Sequence, residues 1–234
     1  MKNSKTFLAI IPARGGSKRL PRKNILDLDG KPLITYTIEA ALKSKYIDNV
    51  IVTSDDGEIL KIAEKNKVNT ILRPDSLSSD TASTFDAVEH TIMNSCIEYD
   101  YIVLLQPTSP LRTAIHIDEA IELLEKKGAD SVVSVCEMEH SPLWSNKLDN
   151  TLSLEGFLKD EVINKRSQDL ETYFRLNGAL YICKRERLLN EKSFFFKNNI
   201  FAYKMSVETS IDIDNKIDFE MATFFKRALK HEKI

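Results

Sequence analysis

The segment Arg14-Gly15-Gly16-Ser17-Lys18-Arg19-Leu20-Pro21-Arg22-Lys23-Asn24 carries five cations in eleven residues and no acid. Like charges crowded into one loop repel unless an anion lies among them. The two glycines let the backbone approach that anion and aim N–H groups at it. Arginine grips phosphate oxygens in pairs and lysine acts as a point charge, so a polyphosphate suits the loop. The pattern is neither the GxxxxGK(S/T) phosphate loop nor the GxGxxG dinucleotide turn. Near the other end, Ile211-Asp212-Ile213-Asp214 sets two carboxylates two residues apart. In extended backbone they project to the same side. They repel unless a cation sits between them, and Mg²⁺ takes hard oxygen ligands supplemented by water and substrate phosphates. Alone, Asp214 also reads as the cap of a following helix. Beside a triphosphate loop the metal reading prevails, with Asp212 and Asp214 as the expected Mg²⁺ ligands. A further pair, Asp55-Asp56, reads as a loop turn and a helix cap.

Such groups need a frame. Thr6–Ile11 is a short apolar run closed by Pro12, which predicts a buried parallel strand leading straight into the cationic loop. Pro32 suits the first turn of a helix, and Ile34, Ile38, Ala41 and Leu42 share one helical face. The order then repeats: a strand at 50–53, a helix from Gly57 to about Asn66, a strand at 70–72, and a helix over 83–96 striped by Phe85, Val88, Ile92 and Cys96. A strand at 101–105, a helix marked by Ile117, Ala120, Ile121 and Leu124, and a strand at 131–135 follow. Residues 138–175 are polar, hold Trp144 and weak strand-like pieces at 151–157, and read as an inserted lobe. Strands at 179–183 and 200–205 come next. A C-terminal helix then starts near Asn215, with Ile217, Met221, Phe224, Phe225 and Ala228 on its expected buried side. The alternation predicts an α/β protein: a Rossmann-like three-layer domain with a mostly parallel mixed sheet, spanning 1–234 with the lobe inside it. Ligands then belong beyond the carboxyl ends of the strands.

Composition narrows the partners. With 33 Lys+Arg against 35 Asp+Glu over 234 residues, the net charge is −2, so no global field draws the chain to nucleic acid or membrane. An apolar fraction of 42% and a charged fraction of 29% exclude a disordered chain. Phe7 to Ile11 is too short an apolar run for a signal peptide or a membrane span. Cys96, Cys136 and Cys183 are scattered, with no CxxC, which argues against disulfides and a zinc site and for a cytoplasmic setting.

Ile11 to Asn24 resembles the N-terminal signature of the acylneuraminate cytidylyltransferases, which activate sialic acids. Ser210-Ile211-Asp212-Ile213-Asp214 before a helix is similar to that family's metal motif. Arg73-Pro74 with Ser79-Asp80-Thr81-Ala82 resembles its cytidine stretch, and Arg166-Ser167-Gln168 with Tyr173 to Gly178 its RxQ…YxxxNG stretch. The likeness runs from residue 7 to about 220, with Glu171 where the family often has proline. It implies transfer of CMP from CTP to a nine-carbon 2-keto sugar acid, release of pyrophosphate, a Mg²⁺ cofactor and a homodimer built on the lobe. It further implies that Arg14, Gly15, Ser17, Lys18, Lys23 and Asn24 hold the nucleotide phosphates, with Arg73 and Ser83 at the cytidine. Gln106, Arg166, Arg175, Tyr181, Phe195 and Phe196 would meet the sugar, and Arg14, Lys18, Lys23 and Asp212 would carry catalysis. Either a metal-bound hydroxide or Asp212 takes the proton. As structure alone, Asp80 or Thr81 caps the helix that begins at Ser83, and Arg112 fits a structural role equally well. The expected sugar is N-acetylneuraminic or legionaminic acid, with the legionaminic type slightly favoured by likeness. Pseudaminic acid, Kdo, a sugar 1-phosphate used with UTP or GTP, and a non-catalytic nucleotide-binding regulator are the alternatives.

Overall fold

Short apolar runs bounded by turn residues become strands covered on both faces. In the computed structural model, which describes residues 5–78 and 82–231, β1 (Phe7–Pro12) is such a strand, buried from Phe7 through Ile11. The cationic loop leaves it and closes in a 3-10 turn at Lys23–Ile25. A small hairpin follows, β2 (Asp27–Leu28) and β3 (Lys31–Pro32), then α1 (Leu33–Leu42), β4 (Asn49–Ser54), α2 (Gly57–Lys65) and β5 (Asn69–Leu72). After these come α3 (Thr84–Met93), β6 (Tyr101–Leu104), α4 (Ala114–Lys127), β7 (Ser131–Glu137), β8 (Phe174–Lys184), α5 (Arg185–Glu191), β9 (Ile200–Met205) and α6 (Lys216–His231).

The main sheet has the order β5-β4-β1-β6-β8-β7-β9. Only β8 runs against its neighbours among the described residues. Side chains alternate across the sheet. Phe7, Ala9 and Ile11 pack with the apolar sides of α1, α2 and α4, while Leu8 and Ile10 pack with those of α3 and α5. The result is the expected three-layer α/β architecture.

Local readings shift in four places. Pro32 ends β3 and stands just before α1 with an extended ψ of 137, because its backbone is still paired in the hairpin. Residues 151–157 form turns rather than a strand, since polar side chains there bond their own neighbours, as Thr151 does with Asp149 at 2.6 Å. The helix at 83–96 stops at Met93, and Cys96 is exposed beyond it. The fourth concerns α6. Ala222 and Phe219 turn inward onto Leu28, Leu33 and Tyr36, whereas Ile217 and Phe224 are 68% and 65% exposed. Periodicity marks an apolar stripe, but the small hairpin beneath α6 covers only its other side.

Between β8 and β9 a buried polar network fixes the backbone. Asn177 Oδ1 accepts from Ser134 Oγ at 2.6 Å and from the Ala179 N–H at 3.1 Å. Its Nδ2 donates to Ser210 Oγ at 2.9 Å and meets Met205 Sδ at 3.3 Å. One side chain thus ties β7, β8, β9 and the turn before Asp212. Asn177→Ala is expected to lower the unfolding free energy by about 1–3 kcal/mol for each buried group left unpaired. The check is the denaturant midpoint at constant m-value. A change below about 0.5 kcal/mol, the size of an ordinary surface substitution, would show the network to be incidental.

Candidate active site

The carboxyl ends of β1, β4 and β6 share one edge of the sheet, and antiparallel β8 passes that edge at its N-terminal half. Each sends a chemical group into the same region. The cationic loop is braced from behind. Asn24, buried, donates its amide to the Arg14 carbonyl at 2.9 Å, and the Ala13 N–H bonds Thr53 O at 3.0 Å. The Gly15 N–H donates to the Asp55 carboxylate at 3.1 Å. A β-carbon on Gly15 would lie 2.7 Å from Asp56 Oδ2, so only glycine fits against the acid. Asp56 in turn caps α2, accepting from the Glu58 N–H at 2.8 Å.

Asp55 does more than turn a loop. It also stands 3.8 Å from the guanidinium of buried Arg73, whose Nε donates to Ser78 Oγ at 2.9 Å. Burial draws the Arg73 guanidinium below its ordinary value and Asp55 opposes that pull. One carboxylate therefore joins the phosphate-type loop to the Arg73 segment. Ser83 is the cap of α3: its hydroxyl accepts from the Asp86 N–H at 3.1 Å while Asp86 accepts from the Ser83 N–H at 2.9 Å. That replaces the expected cap at Asp80 or Thr81, and those two residues lie outside the described ones.

The two ends of the chain meet here. Arg19 Nη1 lies 2.9 Å from Asp214 Oδ2, and Lys23 Nζ lies 3.4 Å from Asp214 Oδ1 while also donating to the Ile213 carbonyl. Ile213 is the anchor. It is fully buried with Leu28, Leu33, Tyr36 and Ala222, and its N–H bonds Thr108 O at 2.9 Å. Burying a side chain of this size contributes about 1.5–3 kcal/mol. With Ile213 turned inward, the alternation of extended backbone turns Asp212 and Asp214 the other way. Asp214 is not the cap of α6, because Asn215 Oδ1 accepts from the Ile217 N–H at 2.8 Å and Asp218 accepts from the Asn215 N–H at 2.9 Å. The Asp214 carboxylate is left facing the cations.

Asp212 is exposed to solvent, yet the protein crowded round its carboxyl raises it above the usual range. Thr108, whose hydroxyl lies beside it without hydrogen-bond geometry, and Lys23 pull it back, while Asp214 and Asp218 push it further. Gly178 sits in the left-handed region at φ 72, and a β-carbon there would lie 3.3 Å from Gln106 Oε1 and 3.5 Å from Asp212 Oδ2. The left-handed backbone is what favours glycine here, and the added contacts would be snug. Burial and the charge of Asp212 raise Tyr181, which packs on Phe194 and Phe195 at 5.7 and 6.2 Å between ring centres.

The resulting cleft of about 560 Å³ is lined by Arg14, Ser17, Lys18, Lys23, Asn24, Arg73, Ser83, Gln106 and Asp214 from the expected set, joined by Arg19, Ser78 and Thr108. Gly15, Asp212, Gly178 and Tyr181 are not among the lining residues, though a β-carbon on Gly178 would meet both the lining Gln106 and Asp212. Of the six expected sugar residues only Gln106 lines it. Arg166 is exposed in the lobe and grips Asp169 at 2.9 and 3.1 Å. Arg175 lies on β8 opposite Cys136. Phe196 is in the core with Cys183 and Leu188, under the Arg187 guanidinium at 4.3 Å, while Phe195 is half exposed. Sequence reasoning gave no site role to Asp55, read as a loop turn, nor to Thr108, Ile213 or Gly178, the last named only within the Tyr173–Gly178 stretch. Asp55 had a signal in its place at a strand's carboxyl end, and Gly178 in its Asn-Gly pair.

The sheet, the cleft at its carboxyl edge and the meeting of Arg19 and Lys23 with Asp214 define an α/β protein with a strongly charged cleft. The chain belongs to the cytidylyltransferase family, whose model matches residues 8–233. It is 40% identical over 231 residues to N-acylneuraminate cytidylyltransferase of Escherichia coli O18:K1:H7, covering 97% of this chain and 54% of that protein. It thus spans about half the length of that relative. With CMP-N,N'-diacetyllegionaminic acid synthase of Legionella pneumophila it shares 36% identity over 229 residues, covering 92% of this chain and 94% of the other. The solved structure of CMP:2-keto-3-deoxy-manno-octonic acid synthetase complexed with CTP superposes with a TM-score of 0.73 at 19% identity, covering 98% of this chain and all of that one, which shows the shared fold.

Proposed function

We propose that this chain transfers CMP from CTP to a nine-carbon 2-keto sugar acid of the sialic-acid type. The observation that carries the reading is the meeting of Arg19 and Lys23 with Asp214 across one cleft. Arg14, Lys18 and Lys23 take the triphosphate, and Arg73 with the Ser78 side holds the cytidine. The anomeric hydroxyl of the sugar attacks the α-phosphorus, the bond to the bridging oxygen of the β-phosphate breaks, and pyrophosphate leaves. Asp212, beside Gln106 and Gly178, is one candidate base for the hydroxyl proton, a metal-bound hydroxide being the other.

Mg²⁺ fits the donor set. Among the described residues no cluster of three or more His, Cys, Asp or Glu side chains is arranged for a metal, and two carboxylates completed by water and phosphate oxygens are what Mg²⁺ accepts. Asp214 and Asp212 would hold it, and the ion would supply neutralisation of charge at the reacting phosphate. In this reading the cations now paired with Asp214 turn to the triphosphate and release the carboxylate.

The sugar subsite lies between Gln106, Gly178 and Asp212 on one side and Tyr181 with Phe195 on the other. N-acetylneuraminic and legionaminic acids are the proposed acceptors, supported by the names of the two relatives. A homodimer through the 138–175 lobe is supported by its exposed Leu148, Leu152, Leu154 and Ile163. A cytoplasmic setting fits three unpaired cysteines. No helix among the described residues is long and apolar enough to cross a membrane. The test is pyrophosphate release with CTP, Mg²⁺ and N-acetylneuraminic, legionaminic or pseudaminic acid. Turnover with CTP and one of the acids is expected. No turnover with all three, or turnover only with UTP or GTP and a sugar 1-phosphate, overturns the reading.

A further inference from the structure

Arg112 is among the largest side chains sealed in the molecule, at 2% exposure. The other buried arginine, Arg73, has Asp55 beside it. Among the described residues Arg112 has no ion-paired carboxylate, and burial alone draws its guanidinium down to about 9, still charged at neutral pH. Its Nη2 donates to Thr37 Oγ1 of α1 at 2.7 Å and to the Gln106 carbonyl at 3.3 Å. Nε and Nη1 have no hydrogen-bond partner among the described residues.

Packing does not call for this arrangement. A charge removed from water without a counter-ion is costly, and an apolar side chain of similar volume fills such a place without that cost. What Arg112 holds is more informative. The carbonyl it binds belongs to Gln106, whose side chain lines the cleft. Gln106 Oε1 would lie 3.3 Å from a β-carbon on Gly178, the same position that meets Asp212. Thr37, the other anchor, is fully buried on a helix packed against the sheet.

Resting on the cytidylyltransferase reading above, we propose that Arg112 is a positioning residue for the acid sugar. It pins the Gln106 carbonyl to α1, which fixes the Gln106 side chain beside Gly178 and Asp212. It also sets an unneutralised positive charge behind the wall that an anionic acceptor faces.

Three variants test this. Arg112→Met keeps the volume and removes grip and charge. Arg112→Lys keeps the charge and loses the two-point grip. Thr37→Val removes the α1 acceptor of Arg112 together with the 3.5 Å bond that Thr37 Oγ1 itself donates to the Gln106 carbonyl. With CTP and N-acetylneuraminic acid, and pyrophosphate as readout, Arg112→Met is expected to raise the KM of the sugar acid about tenfold or more and to leave the KM of CTP within about twofold. Arg112→Lys is expected to recover part of that loss. A lower melting temperature with both KM values unchanged, or an equal rise in both, marks a merely structural role and overturns the proposal. Should Arg112→Met fail to fold, Arg112→Lys decides: a sugar KM raised about threefold with the KM of CTP unchanged supports the clamp, and an unchanged sugar KM overturns it. If the wild-type chain turns over none of the acids, the functional reading fails separately. The clamp is then judged by crystal structures of wild type and the Arg112→Lys and Thr37→Val variants, where an unmoved Gln106 overturns it and a displaced one supports it.

Discussion

Asp212→Asn is expected to cost roughly 10³-fold in kcat while the melting temperature stays level or rises. The loss follows from the removal of a charge that the reacting phosphate's metal and the attacking hydroxyl would both use, a contribution of several kcal/mol. The gain in stability has a different source. Burial raises the Asp212 carboxyl and the Asp214 charge pushes in the same direction, so the folded chain resists that ionisation. The neutral amide relieves this resistance at the same size. Two measurements check the expectation: single-turnover pyrophosphate release, and thermal unfolding with and without Mg²⁺. Added Mg²⁺ is expected to raise the melting temperature of the wild type through preferential binding to the folded state, and not that of the variant. Near-normal turnover at saturating Mg²⁺ removes Asp212 from the metal site.

The second large effect is Lys23→Met. The Lys23 side chain is 11% exposed, and it donates to the Ile213 carbonyl as well as facing Asp214. Its loss withdraws the phosphate contact proposed for it and loosens the segment that presents both acids. A fall in kcat/KM for CTP of about 10²–10³-fold is expected, the size seen when a preorganised donor is removed. A stability loss of about 1.5–3 kcal/mol, that of a hydrogen bond to a charged group, accompanies it. Arg19→Met is the contrast. Its ion pair with Asp214 is shorter, at 2.9 Å, yet its side chain is 73% exposed, and such a pair is worth about 0–1 kcal/mol. Burial and not distance ranks the two cations. Equal stability losses in both variants would refute that ranking.

The layers of this fold were legible because each core strand is a run of apolar residues with a punctuating Pro, Gly or charged turn after it. Phe7 to Ile11 could hardly be anything else, and the cationic loop after it had one natural destination. The Asp212–Asp214 spacing also carried its own geometry, since an apolar residue between two acids in extended backbone must choose the opposite side. What the sequence hid was pairing between distant segments. Nothing near Asp55 reveals that it holds both Gly15 and Arg73, because those contacts join positions far apart in the chain. The exposed stripe of α6 was misjudged for a related reason. Helical spacing tells which residues share a face and is silent about whether a neighbour exists to cover it. Arg166 and Arg175 drew attention by charge and motif, but their place depends on where the 138–175 excursion lies, which no local pattern encodes.

That excursion leaves and returns at a single hydrogen-bonded rung. Glu137 pairs with Phe174, and the Met138 N–H bonds Tyr173 O at 2.9 Å. The strands on either side hold their register by pairing with each other, with no need of the chain between them. Closing a longer or shorter loop across that rung changes the entropy only by about 0.6 kcal/mol per doubling of length. The arm is a module on a stem: evolution or an engineer can trim it, extend it or exchange it between relatives without disturbing the strand pairing beneath the cleft.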